Sequence, residues 1–212
     1  MTDRPDLDAL ADDLRPVRPI RSWSVAAIAL LAAMGGGMLV IGLIGARSAY
    51  GPSFADPIFV LRAGLLALLA IACLVSIARM ARPSLGSSHG GWRWALAAAA
   101  IVPLAAVVVA IADGVPLSER MHMWDGMECL RWSLGIALAT GAALTLWLRR
   151  GAPVYPERAG WLVGIAAGSL GAFAYALHCP HDDIVYIAIW NGIALVAAAV
   201  IGRLAVPHAI RW

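Results

Sequence analysis

Two stretches of this chain hold a density of soft and titratable side chains that an apolar sequence does not need for packing. In Tyr175-Ala176-Leu177-His178-Cys179-Pro180-His181-Asp182-Asp183 an apolar run ends in a thiol flanked by two imidazoles, with two carboxylates directly behind. The other stretch is Met121-His122-Met123-Trp124-Asp125-Gly126-Met127-Glu128-Cys129. Thiolate, thioether and imidazole suit soft or borderline ions. Cys129, Cys179, His178, His181, Met121, His122, Met123 and Met127 are therefore a candidate set for copper, zinc or cadmium rather than magnesium or calcium. The two cysteines can instead pair as a disulfide, which needs their Cα atoms within about 7 Å. Taken singly, each of these groups also reads plainly as a helix-end or interfacial residue.

The elements that must position them are set by composition. Of 212 residues, 61% are hydrophobic and 14% charged, and the mean hydropathy is +0.79. Soluble domains run nearer half apolar and about a quarter charged, so the chain reads as an integral membrane protein. Six apolar runs follow a polar start: Trp23–Gly45, Ile58–Ala78, Trp94–Ala112, Leu130–Leu148, Ala159–His178 and Ile184–Ala205. Each has about the 20 residues that a helix rising ~1.5 Å per residue needs to cross ~30 Å of hydrocarbon. Helix follows because backbone polar groups in lipid must be satisfied internally. The expected class is all-α: a polytopic membrane protein with six transmembrane helices.

Arginine gives the orientation. All sixteen basic residues are Arg, and an even number of spans puts both termini on one side. That side collects twelve Arg against four on the other, namely Arg47, Arg62, Arg120 and Arg131. Basic residues concentrate on the cytoplasmic side, so both termini are expected there. The basic excess reports topology and carries no signal for direct nucleic-acid binding. Cys129 and Cys179 then lie at the outer face, which is oxidising in a bacterial inner membrane. Counted from the turn between the fourth and fifth spans, Cys129 lies 20 residues before Arg149 and Cys179 lies 19 residues after Gly160. Adjacent antiparallel helices therefore bring the sulfurs to a similar height. Cys73, in mid-span without polar neighbours, reads as packing. Arg62 and Arg131 are expected to snorkel to the outer interface. Gly160, Gly164, Gly168 and Gly171 permit close helix approach. The tryptophans near span ends, Trp147 among them, read as an interfacial belt.

Residues 1–22 form the separate polar segment, with five Asp, four Arg and three Pro. Leu7, Leu10, Ala11 and Leu14 fall at i, i+3, i+4 and i+7, one face of a short helix that Pro16 ends. Such a face is either a frayed membrane-proximal tail or a helix that docks its leucines into a partner's groove. Three function classes fit the residues alone. The first is a signalling protein whose outer thiols report to a cytoplasmic tail. The second is a membrane thiol–disulfide oxidoreductase or metal-handling protein, weakened by the lack of a Cys-x-x-Cys pair. The third is a small transporter, weakened by the scarcity of polar groups within the spans.

Leu10-Ala11-Asp12-Asp13-Leu14-Arg15-Pro16-Val17-Arg18-Pro19 before the first span, Glu128-Cys129-Leu130 opening the fourth and Leu177-His178-Cys179-Pro180 closing the fifth resemble the NrsF family, the negative regulators of sigma factor F. The resemblance covers essentially the whole chain. It implies an inner-membrane anti-sigma factor, not an enzyme. Such a protein holds an extracytoplasmic-function sigma factor at the membrane and releases it under heavy-metal or redox stress. It implies a sensing role for Cys129 and Cys179. Residues 1–22 become the sigma-binding segment, with Leu7, Leu10, Ala11, Leu14, Arg15 and Arg18 as its contacts, and residues 23–212 the transmembrane domain. No obligatory cofactor is implied; a soft metal ion enters as signal. Besides the sigma factor, the partner is membrane lipid.

Overall fold

A computed structural model describes residues 23–47, 54–81, 93–94, 96–97, 100–151, 153 and 155–210. The sigma-binding segment expected at residues 1–22 lies outside them. The described residues form helices α1 (Trp23–Ile44), α2 (Pro57–Met80), α3 (Ile101–Ala112), α4 (Leu117–Arg120), α5 (Met123–Leu148), α6 (Pro156–Ala176) and α7 (Ile184–Ile210), with no strand among them.

Local signals fix several ends. Asp56 caps α2, its carboxylate accepting from the amides of Ile58 at 2.8 Å and Phe59 at 3.4 Å, with Pro57 in the first turn. Both features satisfy or remove amides that a helix start leaves unpaired. Pro156 starts α6 in the same way. His122, in the left-handed region at φ 37°, turns the chain into α5. That helix begins at Met123, seven residues before the Leu130 expected from hydropathy, because its first two turns are too polar to register as apolar. Cys129 is consequently inside the helix rather than at its start.

Five helices, α1, α2, α5, α6 and α7, are long and apolar enough to cross a membrane. The third apolar run is continuous helix only over Ile101–Ala112, 12 residues, although residues 93, 94, 96 and 97 are also helical. Pro103 has no amide hydrogen to donate to the preceding turn, which fits a continuous segment that begins beside it. The described residues therefore give five membrane-length helices where six runs were expected. Their outward faces carry large apolar side chains such as Leu31, Met38, Ile71 and Leu204, the arrangement expected where the surroundings are hydrocarbon.

The central element is α6, which packs on α1, α2, α5 and α7 and is buried along nearly its whole length. Small residues make this crowding feasible. A Cβ at Gly164 would lie 2.4 Å from the Ala198 carbonyl oxygen on α7, and one at Gly171 would lie 2.1 Å from the Ser133 carbonyl oxygen on α5. The expected glycine packing holds in this helix, whereas Gly35 and Gly42 of α1 face open space. Among the described residues three apolar clusters form along the bundle, the smallest of them Ala137, Ala167 and Ala198. Of the larger two, the first joins Val25, Ile77, Leu148 and Ile210; the second joins Val40, Cys129, Tyr175, Cys179, Tyr186 and Trp190 at the opposite end of the same helices. Cys73 is fully buried in the first cluster, as its lack of polar neighbours suggested. Trp147, near the end of α5, is buried and donates its indole hydrogen to Ser24, near the start of α1, at 2.6 Å.

Candidate functional site

The two sulfurs come together where α5, α7 and the turn after α6 meet. Tyr175 near the end of α6 accepts amide hydrogens from both His178 and Cys179, which closes the helix. Pro180 then prevents its continuation. Cys129 reaches the same place from the second turn of α5. Both thiols are free, both have 0% exposure, and they share one apolar cluster. Gly126, one turn before Cys129, opens the seat for Trp190 of α7: a Cβ there would lie 1.9 Å from the indole ring. Trp190 also donates its indole hydrogen to the Met121 carbonyl at 2.9 Å. The α5 start and α7 are thereby locked together around the sulfurs.

Arg62 does not snorkel. Its side chain is 3% exposed and turns inward from α2, where Nη2 donates to the Asn191 Oδ1 of α7 at 3.1 Å. The Cys129 thiol points at that same oxygen from 3.9 Å. The guanidinium is in electrostatic contact with Cys129, Cys179 and Tyr186. Among the described residues its Nε and Nη1 meet no oxygen acceptor and the buried Tyr186 hydroxyl has no hydrogen-bond partner, while the Ser133 hydroxyl lies beside the Cys129 thiol. Snorkelling fails because α2 presents this residue to α6 and α7, where an amide acceptor sits at matching depth. Arg131, by contrast, is exposed as expected. One signal for this site is present in the sequence: Asn191 is the chain's only side-chain amide, and it stands in an apolar run.

A second arginine ties the Cys179 turn to α1. Arg47, with 0% exposure, donates to the Cys179 carbonyl at 2.6 Å and to both carboxylate oxygens of Asp182. Its backbone amide donates to the Leu177 carbonyl at 2.9 Å, and its guanidinium lies 5.0 Å from the Phe59 ring centroid. Beside it, His178 Nδ1 sits 2.8 Å from the Gly45 carbonyl oxygen. The Arg47 bonds are charge-assisted, the stronger class of hydrogen bond.

The remaining candidates divide. His122 stacks on His181 with ring centroids 4.8 Å apart, and His181 Nε2 lies 2.9 Å from Asp125 Oδ2. Tyr186 stands between this layer and the sulfurs, 4.6 Å from His181 by ring centroids. Met121 packs on the cysteine cluster, whereas Met123 and Met127 are exposed on α5. Arg120 bridges Asp113 and Asp183; the Asp113 hydrogen bond, aided by the Asp183 charge, pushes its guanidinium above its ordinary range. Among the described residues no group of three or more His, Cys, Asp or Glu is placed to hold a metal ion. The chemistry on offer is that of two adjacent soft donors, screened from water, beside a buried cation.

The family described as negative regulator of sigma F matches residues 10–212. The chain belongs to the NrsF family. Among NrsF relatives, the anti-sigma-F factor NrsF of Caulobacter vibrioides (strain NA1000 / CB15N) is 31% identical over 213 residues, covering 97% of each chain. The probable anti-sigma-F factor NrsF of Azospira oryzae (strain ATCC BAA-33 / DSM 13638 / PS) is 27% identical over 186 residues, covering 85% of this chain and 84% of the relative. No solved structure matches the chain. The NrsF match covers the α5 start and the α6–α7 turn that carry the two sulfurs, and it reaches back to Leu10, within the segment that precedes α1.

Proposed function

We infer that this protein is an anti-sigma factor of the bacterial inner membrane. It spans the bilayer six times, the third span being completed by residues before α3, with both termini in the cytoplasm. Residues 1–22 sequester an extracytoplasmic-function sigma factor. Heavy-metal or redox stress at Cys129 and Cys179 releases it. It is a regulator rather than an enzyme. The observation that carries this reading is the family match through residue 10, taken with two buried thiols at the end of the bundle remote from the start of α1. Arg47 supplies a physical route between them. It grips the Cys179 carbonyl, and it sits at the far end of α1, the helix that residues 1–22 lead into.

The test is capture. The full-length protein in nanodiscs should retain its sigma factor, and a chain lacking residues 1–22 should not. In cells, a reporter active only outside the cytoplasm should be active after Pro116 or Asp182 and silent after Ser87, Pro153 or Trp212. Equal capture with and without the segment, or the inverse reporter pattern, overturns the reading.

The Arg47 route has its own expected result. Arg47→Met removes the donors to Cys179 and Asp182 and leaves residues 1–22 intact. Sigma capture should persist, while induction of a sigma-dependent reporter by cadmium should fall by about tenfold, within the range of ordinary coupling free energies. Unchanged induction would show that the signal reaches the tail by another path.

A further inference from the structure

Arg62 is the buried charge that the proposed function leaves unused. An arginine within a transmembrane segment is costly and finds a partner, yet no carboxylate pairs with Arg62 among the described residues. Among the described residues its oxygen acceptor is the neutral amide of Asn191, with the Cys179 thiol within hydrogen-bonding reach, and two of its nitrogens, Nε and Nη1, are buried without an oxygen acceptor. The groups around it that can carry negative charge are the thiols of Cys129 and Cys179 and the hydroxyl of Tyr186. A thiol gives up its proton more readily than a phenol.

We propose that Arg62 is a positioning residue of the two-sulfur site, the fixed counter-cation for the net negative charge that Cys129 and Cys179 leave there when they bind a monovalent soft ion. The step balances. A soft ion of charge +1, such as silver(I) or copper(I), replaces two thiol hydrogens, two protons leave to the outer solution, and the apolar cluster is left with one additional negative charge. Arg62 neutralises that charge, and its N–H groups are the donors that the new thiolates accept. Asn191 holds the guanidinium in register, because its Oδ1 takes both Arg62 Nη2 and the Cys129 thiol. This inference rests on the thiol-sensing reading and adds to it the residue that sets the site's charge.

The experiment measures silver(I) affinity of the full-length protein in nanodiscs by competition with a chromogenic chelator. Arg62→Gln should weaken binding by about tenfold or more, the fold-change expected for losing a charge-assisted hydrogen bond. Arg62→Lys, which keeps the charge, should recover most of the loss; a merely structural arginine would not be rescued this way. Asn191→Asp is nearly isosteric and keeps the acceptor for Nη2, so it tests charge without disturbing shape, even if Arg62→Gln does not fold. Its carboxylate pre-empts the guanidinium and should also weaken silver binding. Wild-type affinity in Arg62→Gln, or in Asn191→Asp, overturns the proposal. Failure of the wild-type chain to bind silver, or undiminished binding in Cys129→Ser/Cys179→Ser, removes the thiol-sensing reading along with it.

Discussion

Cys129→Ser and Cys179→Ser should each abolish induction of a sigma-dependent reporter by soft metals, and the double variant should be no worse than either single one. The reason is that a bridging ion or a disulfide needs both sulfurs, so the pair acts as one unit. Thiolates are far better soft-metal ligands than hydroxyls, and Cys→Ser removes one donor with little change in shape. Both sulfurs occupy one apolar cluster with no exposure, so neither has an alternative partner in solvent. A bound ion moves the equilibrium only by its preference for the releasing state. Going from about 1% to about 99% released requires about 5.5 kcal/mol of such preference, which one remaining sulfur would not supply. Cys73→Ser is the control, since Cys73 lies in a different cluster and should respond normally. The assay titrates copper, zinc and cadmium in each strain. Full induction in the Cys179→Ser strain would end the paired-thiol mechanism and turn attention to Met121, His122 and the stacked His181.

Leu10→Asp together with Leu14→Asp should leave the regulon on without any stress. On the helical spacing of residues 7–14, Leu7, Leu10 and Leu14 share one face with Ala11. Burying a leucine contributes roughly 1.5–3 kcal/mol, and placing a carboxylate in an apolar groove adds a desolvation cost. Two such changes should lower sigma-factor affinity by orders of magnitude, while Arg15→Gln and Arg18→Gln, which alter only polar contacts, should cost far less. Titrating the purified sigma factor against each variant in nanodiscs measures this directly. Wild-type affinity in the double Asp variant would show that the leucine face is not the docking surface. Because these substitutions lie outside the bundle, the thiol site should remain intact and continue to bind soft metal.

What the sequence determined by itself was whatever depends on composition and local spacing. Lipid forces backbone groups to pair within a helix, so run length alone announced membrane-length helices. The glycines of α6 announced close approach because only hydrogen fits against a carbonyl 2.1–2.6 Å from the would-be Cβ. The two cysteines were legible as a pair since counting from a tight turn between antiparallel helices fixes relative height without coordinates. Hydropathy misjudged the start of α5, as polar first turns of a spanning helix dilute the apolar signal.

Tertiary structure alone decided what the arginines and the aromatic rings do. Near a helix end, an arginine either reaches for the interface or turns inward, and the choice rests on what the neighbouring helices offer at its depth. Arg62 turns inward because Asn191, 129 residues away, presents an amide oxygen there. Arg47 is buried because the turn after α6 folds a carbonyl and a carboxylate onto it from 132 and 135 residues away. Trp147 is buried within the bundle, where Ser24 of α1 accepts its indole hydrogen. Likewise, Met123 and Met127 share residue type and neighbourhood with Met121, yet of the three only Met121, just before α5, packs against the cysteine cluster. None of these partners has a sequence spacing that could announce it, since each lies on a different helix and meets its residue only when the bundle closes.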